Sequence, residues 1–352
     1  MTKFLDIKKK IDKEHPDVLK SAKELSAVSI GRIPSGVFIF DLLTGGGIPA
    51  GRISIFHGIE SSGKSSLALR LTAQFLRQHP DQMVLYADFE QTYDHEWAKN
   101  FGIDENRCQV IQPDYGESGV DIILEVCKAD DIGMIVIDSI AMMIPTAEGE
   151  ASMSDDFVGL QARLVNKMLR RIIPITSKAR DLGKPVTLLF INQVRAKIGG
   201  RSFQPQVSMP GGFMQKLVAT LNIRFYTKMY TKVAGIPAKV THTITLEKNK
   251  AGLAKRSGEY TVILAPHQGF KAGDVDDLAV VIEYGKKTGL LVKDGAGWRI
   301  GKSDKFPNLA ELGRYLKAHP GEFNAFKDAV LKICLTDVFL SGNPDDDKDV
   351  EG

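Results

Sequence analysis

From Gly51 to about residue 230 the chain alternates two textures: short, nearly uninterrupted apolar runs, and longer segments whose apolar positions recur every three or four residues. RISIFHG (52–58) reads as a strand leading into a Gly/Ser loop, SSLALRLTAQFLRQH (65–79) as a helix, and MVLYADFE (83–90) as a strand. GVDIILEVCKA (119–129) follows as a helix and MIVIDSIA (134–141) as a strand. The series continues with GLQARLVNKMLRRIIPITSKARD (159–181), a helix broken near Pro174, then the strand VTLLFINQ (186–193) and the more extended LNIRFYTKMY (221–230). Apolar strands separated by helices imply a parallel sheet covered on both faces, a doubly wound α/β core. THTITLEKNKAGLAKRSGEYTVIL (241–264) alternates on both sides of a polar turn, as an antiparallel hairpin at the far edge of the sheet would.

The flanks differ. Residues 1–30 read as a charged helix with Phe4, Ile7, Ile11, Val18, Ala22 and Leu25 at helical spacing and Pro16 as an interruption. Such a stripe must pack on its own core or on a neighbouring subunit. Residues 31–269 hold the core. Residues 270–338, with helix-length stretches on either side of a short hairpin at Trp298, suggest a small C-terminal α/β domain. Residues 339–352 end in NPDDDKDVEG, five acids and one Lys, whose composition marks a disordered tail.

With 43% hydrophobic and 25% charged residues among 352, the composition is that of a globular protein. The longest apolar runs, such as VTLLFI, fall far short of the roughly 18 to 20 residues a membrane span needs. MTKFLDIKKK lacks the apolar core of a signal peptide, and Cys108, Cys127 and Cys334 are widely spaced, so a reduced, cytoplasmic protein without a zinc motif is expected. The net charge of +3 hides a strong asymmetry. Residues 1–156 carry −10, residues 257–352 carry −4, and residues 157–256 carry +17, with 19 basic side chains against Asp181 and Glu247 alone. A block of that sign favours a polyanion, or pairs with the acidic blocks of the same or a neighbouring subunit.

The strongest chemical signal lies between the first strand and the first core helix: Gly58, Ile59, Glu60, Ser61, Ser62, Gly63, Lys64 and Ser65, followed by Ser66. This G-x-x-x-x-G-K-[ST] pattern turns backbone N–H groups onto phosphate oxygens at a helix N-terminus. Lys64 would reach the β- and γ-phosphates and Ser65 would ligate Mg²⁺. Asp138, ending the apolar run MIVI, would hold the same Mg²⁺ through water. Glu90 is the candidate to orient or deprotonate the attacking water, with Asp88 and Asp94 as rivals. Gln193, ending VTLLFINQ, stands where a neutral amide could sense the γ-phosphate and relay it into the basic loop beyond.

Taken together, GIESSGKSS, the Glu90 strand, MIVIDS and above all INQVRAKIGG resemble the bacterial RecA recombinases, in order and at nearly the same spacing, from about Ile33 to the acidic tail. The resemblance implies a RecA-type P-loop ATPase core and a DNA-dependent ATPase that forms helical filaments on single-stranded DNA. It also implies strand exchange with homologous duplex DNA, and a cytoplasmic, nucleoid-associated protein. It assigns Lys64, Ser65, Glu90, Asp138 and Gln193 the roles above and puts Asp94 and Trp97 at the nucleotide, the Trp97 indole where the family stacks a Tyr on adenine; a core Trp is the alternative. Lys248 and Lys250 match lysines that reach ATP across the subunit interface, where exposed hairpin lysines are the alternative.

The matching DNA loops are 148–160 and 195–212. Arg163, Arg170 and Arg171 follow the first on a helix; Arg195, Lys197 and Arg201 lie in the second. Ile198 and Phe203 suit wedging between bases, and the amides of Gly199, Gly200, Gly211 and Gly212 suit a close approach of the strand. The chain departs from the family in RSFQPQVSMPGG, which is one residue longer than usual and lacks the Thr-rich run, in Val158, and in Asp155 and Asp156. A hexameric RecA-like helicase or ring motor shares this core and is the second reading. A non-catalytic, ATP-switched regulator is the third.

Overall fold

The computed structural model describes residues 3–15, 19–21, 31–152, 157, 159–196, 207–266, 269–301 and 305–341. Residues 1–31 form one compact unit and residues 32–352 a second. In the first, a helix spans Phe4–Glu14 and ends two residues before Pro16, with Phe4, Leu5 and Ile7 exposed. Residues 16–18 and 22–30, which complete the predicted N-terminal helix, lie outside the described residues, as does the acidic tail.

The second unit opens with β1 (Arg32–Ile33), which pairs antiparallel with β2 (Ile48–Pro49) around a helix at Phe38–Thr44. Then come β3 (Ile53–Gly58), β4 (Met83–Asp88), β5 (Cys108–Ile111), β6 (Ile132–Asp138) and β7 (Thr187–Gln193). A short pair follows, β8 (Arg195–Ala196) with β9 (Val207–Ser208), and then the long β10 (Leu221–Val233), β11 (Ile236–Asn249) and β12 (Ser257–Ile263). The eight-stranded sheet runs β12-β11-β10-β3-β7-β6-β4-β5, parallel from β5 to β10 and antiparallel through β11 and β12. This is the predicted doubly wound α/β sheet with its hairpin at the far edge.

Two apolar layers cover the sheet. Phe56, Val136, Leu189 and Ile223 face the helices Phe38–Thr44 and Lys64–Gln78. Ile55, Ile135, Ile137, Leu188 and Phe190 face the helices Gly116–Val126 and Leu160–Asp181. The helix predicted to break near Pro174 runs without a break from Leu160 to Asp181. Pro174 and Arg170, whose carbonyl loses its helical donor, are both exposed residues. Two predicted strands also end early: β4 stops at Asp88 and β6 at Asp138, which leaves Glu90 and Ser139 in the loops at the carboxyl edge of the sheet, where a parallel sheet places ligands.

Toward the C-terminus a helix spans Leu278–Lys287. A three-stranded sheet of β13 (Leu291–Asp294), β14 (Gly297–Ile300) and β15 (Lys305–Phe306) follows, then helices Leu309–Ala318 and Pro320–Ser341. The texture change at residue 270 does not interrupt the core: Val281, Leu316, Phe326 and Val330 join the same apolar cluster as Phe38 and Phe40. Asp277 reinforces the join, accepting from the Phe38 amide at 2.9 Å, with the Lys327 ammonium 3.6 Å away. Among the described residues no helix is long and apolar enough to cross a membrane.

Candidate active site

β3 delivers the chain to the phosphate-binding loop, and the helix Lys64–Gln78 carries it away. Two glycines fix the loop for different reasons. A Cβ on Gly58 would stand 2.4 Å from the Phe225 carbonyl oxygen, whereas Gly63 has φ +89° and is backed by the His242 ring, 2.8 Å from where a Cβ would lie. Lys64 is buried, its Nζ donating to the Ile59 carbonyl at 2.7 Å and to Ser62 Oγ at 3.3 Å. Ser62 Oγ donates to the same carbonyl, and Thr227 Oγ1 holds Ser61 from β10. Beside the loop opens a cavity of about 310 Å³ lined by Ser61 to Ser66 together with Trp97, Tyr230, Val240, His242, Val262 and Leu264. Its lining combines amides and hydroxyls at a helix N-terminus with apolar and aromatic surface, which suits a phosphorylated molecule carrying a planar base.

Trp97 is half-buried at the cavity wall and packs edge-on to Phe101 at 5.4 Å, so it is not a fully buried core residue. Asp94 does not line the cavity. Its carboxylate caps the helix His95–Asn100 by accepting from the Trp97 amide at 2.9 Å, so its contact in this structure is with the segment that carries the indole. Ile59 and Glu60 are exposed at the outer turn of the loop.

Asp138 is 5% exposed at the end of β6. Its Oδ2 accepts from Tyr86 Oη at 2.7 Å, and Oδ1 is buried with no partner among the described residues. Burial pushes its carboxyl up to about 6, against the Tyr86 hydrogen bond and the nearby Ser65 hydroxyl. A carboxylate oxygen buried without a partner beside the Ser65 hydroxyl fits a hard divalent cation such as Mg²⁺. Of the three candidate carboxylates, Asp88 accepts from the Tyr93 amide at 2.8 Å and Gln112 Nε2 at 2.9 Å, and Asp94 serves as the cap. Glu90 alone meets the end of β7: its Oε1 accepts from Gln193 Nε2 at 2.7 Å and from Ser139 Oγ at 2.5 Å.

Two polar residues that the sequence did not single out connect this carboxylate to the second loop. Asn192, fully buried, donates from Nδ2 to the Pro210 carbonyl at 3.0 Å and to Gln215 Oε1 at 2.9 Å, and Gln215 Nε2 donates in turn to the Pro210 and Gly212 carbonyls. Gln193 touches Glu90 and its neighbour Asn192 touches the loop exit, so the last residues of one strand bear on both. The only sequence signal for this was the placing of Asn next to Gln in INQ.

In the basic segment, Arg163, Arg170 and Arg171 are exposed on the helix Leu160–Asp181, with Arg171 3.3 Å from Asp121. Arg195 pairs through its backbone with Ser208. Lys197, Ile198, Gly199, Gly200, Arg201 and Phe203 lie outside the described residues, as do residues 153–156 and Val158 of the first loop. Gly211 and Gly212 have φ +83° and +82°. Gly211 is buried, and a Cβ on it would stand 2.7 Å from Ile140 Cγ2, so close packing requires a glycine there. Lys248 and Lys250 do not reach the cavity of their own chain. Both donate to the Leu217 carbonyl at 3.0 Å, and Lys248 also to that of Lys216, at the C-terminal end of the helix Met214–Val218.

Burial, helped by the Lys64 charge and opposed by the Tyr226 backbone, pushes the His242 imidazole down to about 4. An unfolded histidine titrates near 6.5, so below that pH the unfolded chain takes up a proton that the folded one refuses, and stability falls on acidification by on the order of 3 kcal/mol. His242→Gln is expected to remove that part of the acid sensitivity, read as a flatter difference in urea unfolding between neutral pH and about pH 4.

The family model described as the RecA N-terminal domain matches residues 3–266. The Protein RecA of Nautilia profundicola is 34% identical over 296 residues, covering 83% of this chain and 79% of that protein. The Protein RecA of Sulfurimonas denitrificans is 34% identical over 307 residues, covering 86% and 84%, and that of Aquifex aeolicus is 30% identical over 299 residues, covering 85% and 82%. A phosphate loop, a strand-end acid and a carboxylate–amide pair on one sheet edge, matched along most of the chain's length by these relatives, place this protein in the RecA family.

Proposed function

We propose that the chain polymerises as a helical filament on single-stranded DNA, hydrolyses ATP when DNA is bound, and pairs that strand with homologous duplex DNA in recombination and repair. As a RecA-family recombinase it is a DNA-dependent ATPase with strand-exchange activity. The observation that carries the residue roles is the contact between Glu90 and Gln193, which joins the candidate base of hydrolysis to the strand entering the second loop. Lys64 and the amides of Ser61 to Ser65 bind the phosphates of ATP, and Trp97 and Tyr230 flank the base. Ser65 and Asp138 would hold Mg²⁺, which when bound neutralises charge on the β- and γ-phosphates. Glu90 accepts a proton from the attacking water, oriented by Ser139 and Gln193.

Gln193 shares its carboxylate contact between Glu90 and whatever occupies the γ-phosphate position. Because Asn192 moves with it, nucleotide state is transmitted to Pro210 and the loop. Lys248 and Lys250, turned away from their own cavity, act on the ATP of the neighbouring subunit, as an arginine finger does. The exposed arginines of the +17 segment meet DNA phosphates, and the protein works in the cytoplasm at the nucleoid.

ATPase activity measured with and without single-stranded DNA tests this reading, alongside negative-stain images of the assembly. Strong stimulation together with helical filaments is expected. Turnover indifferent to DNA, or closed rings, would refute it.

A further inference from the structure

The end of β11 is not a regular ladder. Asn222 faces Lys248 and Ile223 faces Leu246, so Glu247 is an extra residue that no partner opposes, a β-bulge. Bulges bend a strand and re-aim its side chains. Here the bulge turns the Glu247 carboxylate back over β10 toward β3. Oε2 lies 3.1 Å from His57 Nε2 and accepts from Asn222 Nδ2 at 3.3 Å, and Arg224 Nη1 stands 4.0 Å from Oε1 while its guanidinium covers the Tyr226 ring. His57 is 3% exposed and aligned in register with Arg224 on one side and Asn192 on the other. Burial holds its imidazole below the ordinary value against the pull of Glu247, and Lys216 and Arg224 add like charge from the neighbouring elements, so the neutral ring donates its Nε2–H to the carboxylate.

The position of this cluster in the chain gives it meaning. The residue after His57 is Gly58, the start of the phosphate loop; the residue after Glu247 is Lys248, and Lys250 follows two further on. The sheet would close as well with apolar side chains here. Instead it carries buried polar atoms, His57 Nδ1 and Asn222 Oδ1, that have no partner among the described residues, and imperfectly satisfied clusters of this kind call for a reason beyond stability.

We infer that His57 and Glu247 are positioning residues: they clasp the bulge at Glu247 to the strand that ends in the phosphate loop and thereby fix the direction in which Lys248 and Lys250 are presented to the nucleotide of the next subunit. This rests on the trans action of the two lysines proposed above. The clasp ties the lysines a subunit donates to the loop with which it holds its own ATP, so both sites share one block of three strands, β11, β10 and β3. Glu247 touches no nucleotide and takes no part in the chemistry.

Glu247→Ala should lower DNA-stimulated kcat by about ten- to a hundredfold, the cost of misplacing a catalytic group by roughly 1 Å, and leave nucleotide binding by isolated subunits unchanged. Glu247→Gln, whose amide oxygen still accepts from His57, should restore turnover. Mixing separates positioning from damage. A Glu247→Ala subunit keeps an intact loop and Glu90 carboxylate, and a Glu90→Ala subunit, which still binds ATP and DNA, keeps intact lysines, so a random head-to-tail filament of equal parts should recover about a quarter of wild-type turnover from two impaired proteins. A Lys250→Ala and Glu90→Ala mixture is the control. Recovery in the control alone would show that Glu247 acts within its own subunit and would overturn the proposal. Recovery in neither would overturn the trans reading and the proposal with it. Should Glu247→Ala fail to fold, Glu247→Asp keeps the charge, withdraws the carboxylate from His57, and is expected to show the same loss and the same recovery.

Discussion

Lys64→Ala is expected to abolish DNA-dependent ATP turnover, with a fall of at least about a thousandfold, and with it any nucleotide-dependent extension of the filament. The side chain is 6% exposed, and burial lowers its pKa while the nearby carboxylates of Asp138, Glu90 and Glu60 raise it. It is the one buried cation facing the acids at this edge of the sheet among the described residues. Its ammonium rests on the Ile59 carbonyl and Ser62 Oγ, both parts of the loop it belongs to, so the loop is braced before ATP arrives. Alanine removes the charge that meets the phosphates and the cation that the Asp138 and Glu90 carboxylates act on. Steady-state turnover with single-stranded DNA, read beside filament length in images, checks the expectation; turnover near the wild-type rate would move the phosphate site elsewhere.

Glu90→Ala should separate binding from chemistry. ATP and DNA binding persist, because the loop and the basic segment are untouched, while hydrolysis slows by about a hundred- to ten-thousandfold, the usual worth of a positioned general base. Glu90→Gln sharpens the assignment. Its amide oxygen still accepts from Gln193 and Ser139, so the local geometry stays, yet it cannot take a proton. Equal losses in the two variants identify the carboxylate as the base. An active Glu90→Gln would make Glu90 a holder of Gln193 and reassign the proton to another group. The same pair should also uncouple nucleotide state from DNA affinity to different degrees, since only alanine releases Gln193.

The phosphate loop and the acid of MIVID were legible because each couples a sequence pattern to a forced position: glycines between a strand and a helix, and a carboxylate at the end of an apolar strand. The helix Phe38–Thr44 gave no such sign. All seven of its residues are buried, so there is no polar face to set a period of 3.6. β5 is an edge strand of four residues with only Cys108 fully buried, too short to stand out from a loop. The helix through Pro174 was misread because part of a proline's cost in a helix depends on whether the residue whose carbonyl it leaves without a donor, here the exposed Arg170, is buried, and exposure is not written in the local sequence. The packing of Gly211 against Ile140 joins segments some seventy residues apart, which neither segment announces. The partners of Lys248, Lys250 and Glu247 depend on a bulge, and bulges are set by strand pairing that no single strand announces.

The two-rung ladder of β8 and β9 bears on how this protein can vary. Arg195 and Ala196 pair with Ser208 and Val207, the Val194 amide donates to the Gly58 carbonyl on the entry side, and Asn192 holds Pro210 on the exit side. Both ends of the intervening segment are therefore fastened to β3 and β7, independently of what lies between Ala196 and Val207. Adding a residue to a closed segment of this length changes closure entropy by only about 0.1 kcal/mol. Insertions and substitutions between Ala196 and Val207 are therefore expected to leave the carboxyl edge of the sheet in place, so that this segment can vary in length and composition while the phosphate loop, Glu90 and Asp138 keep their positions.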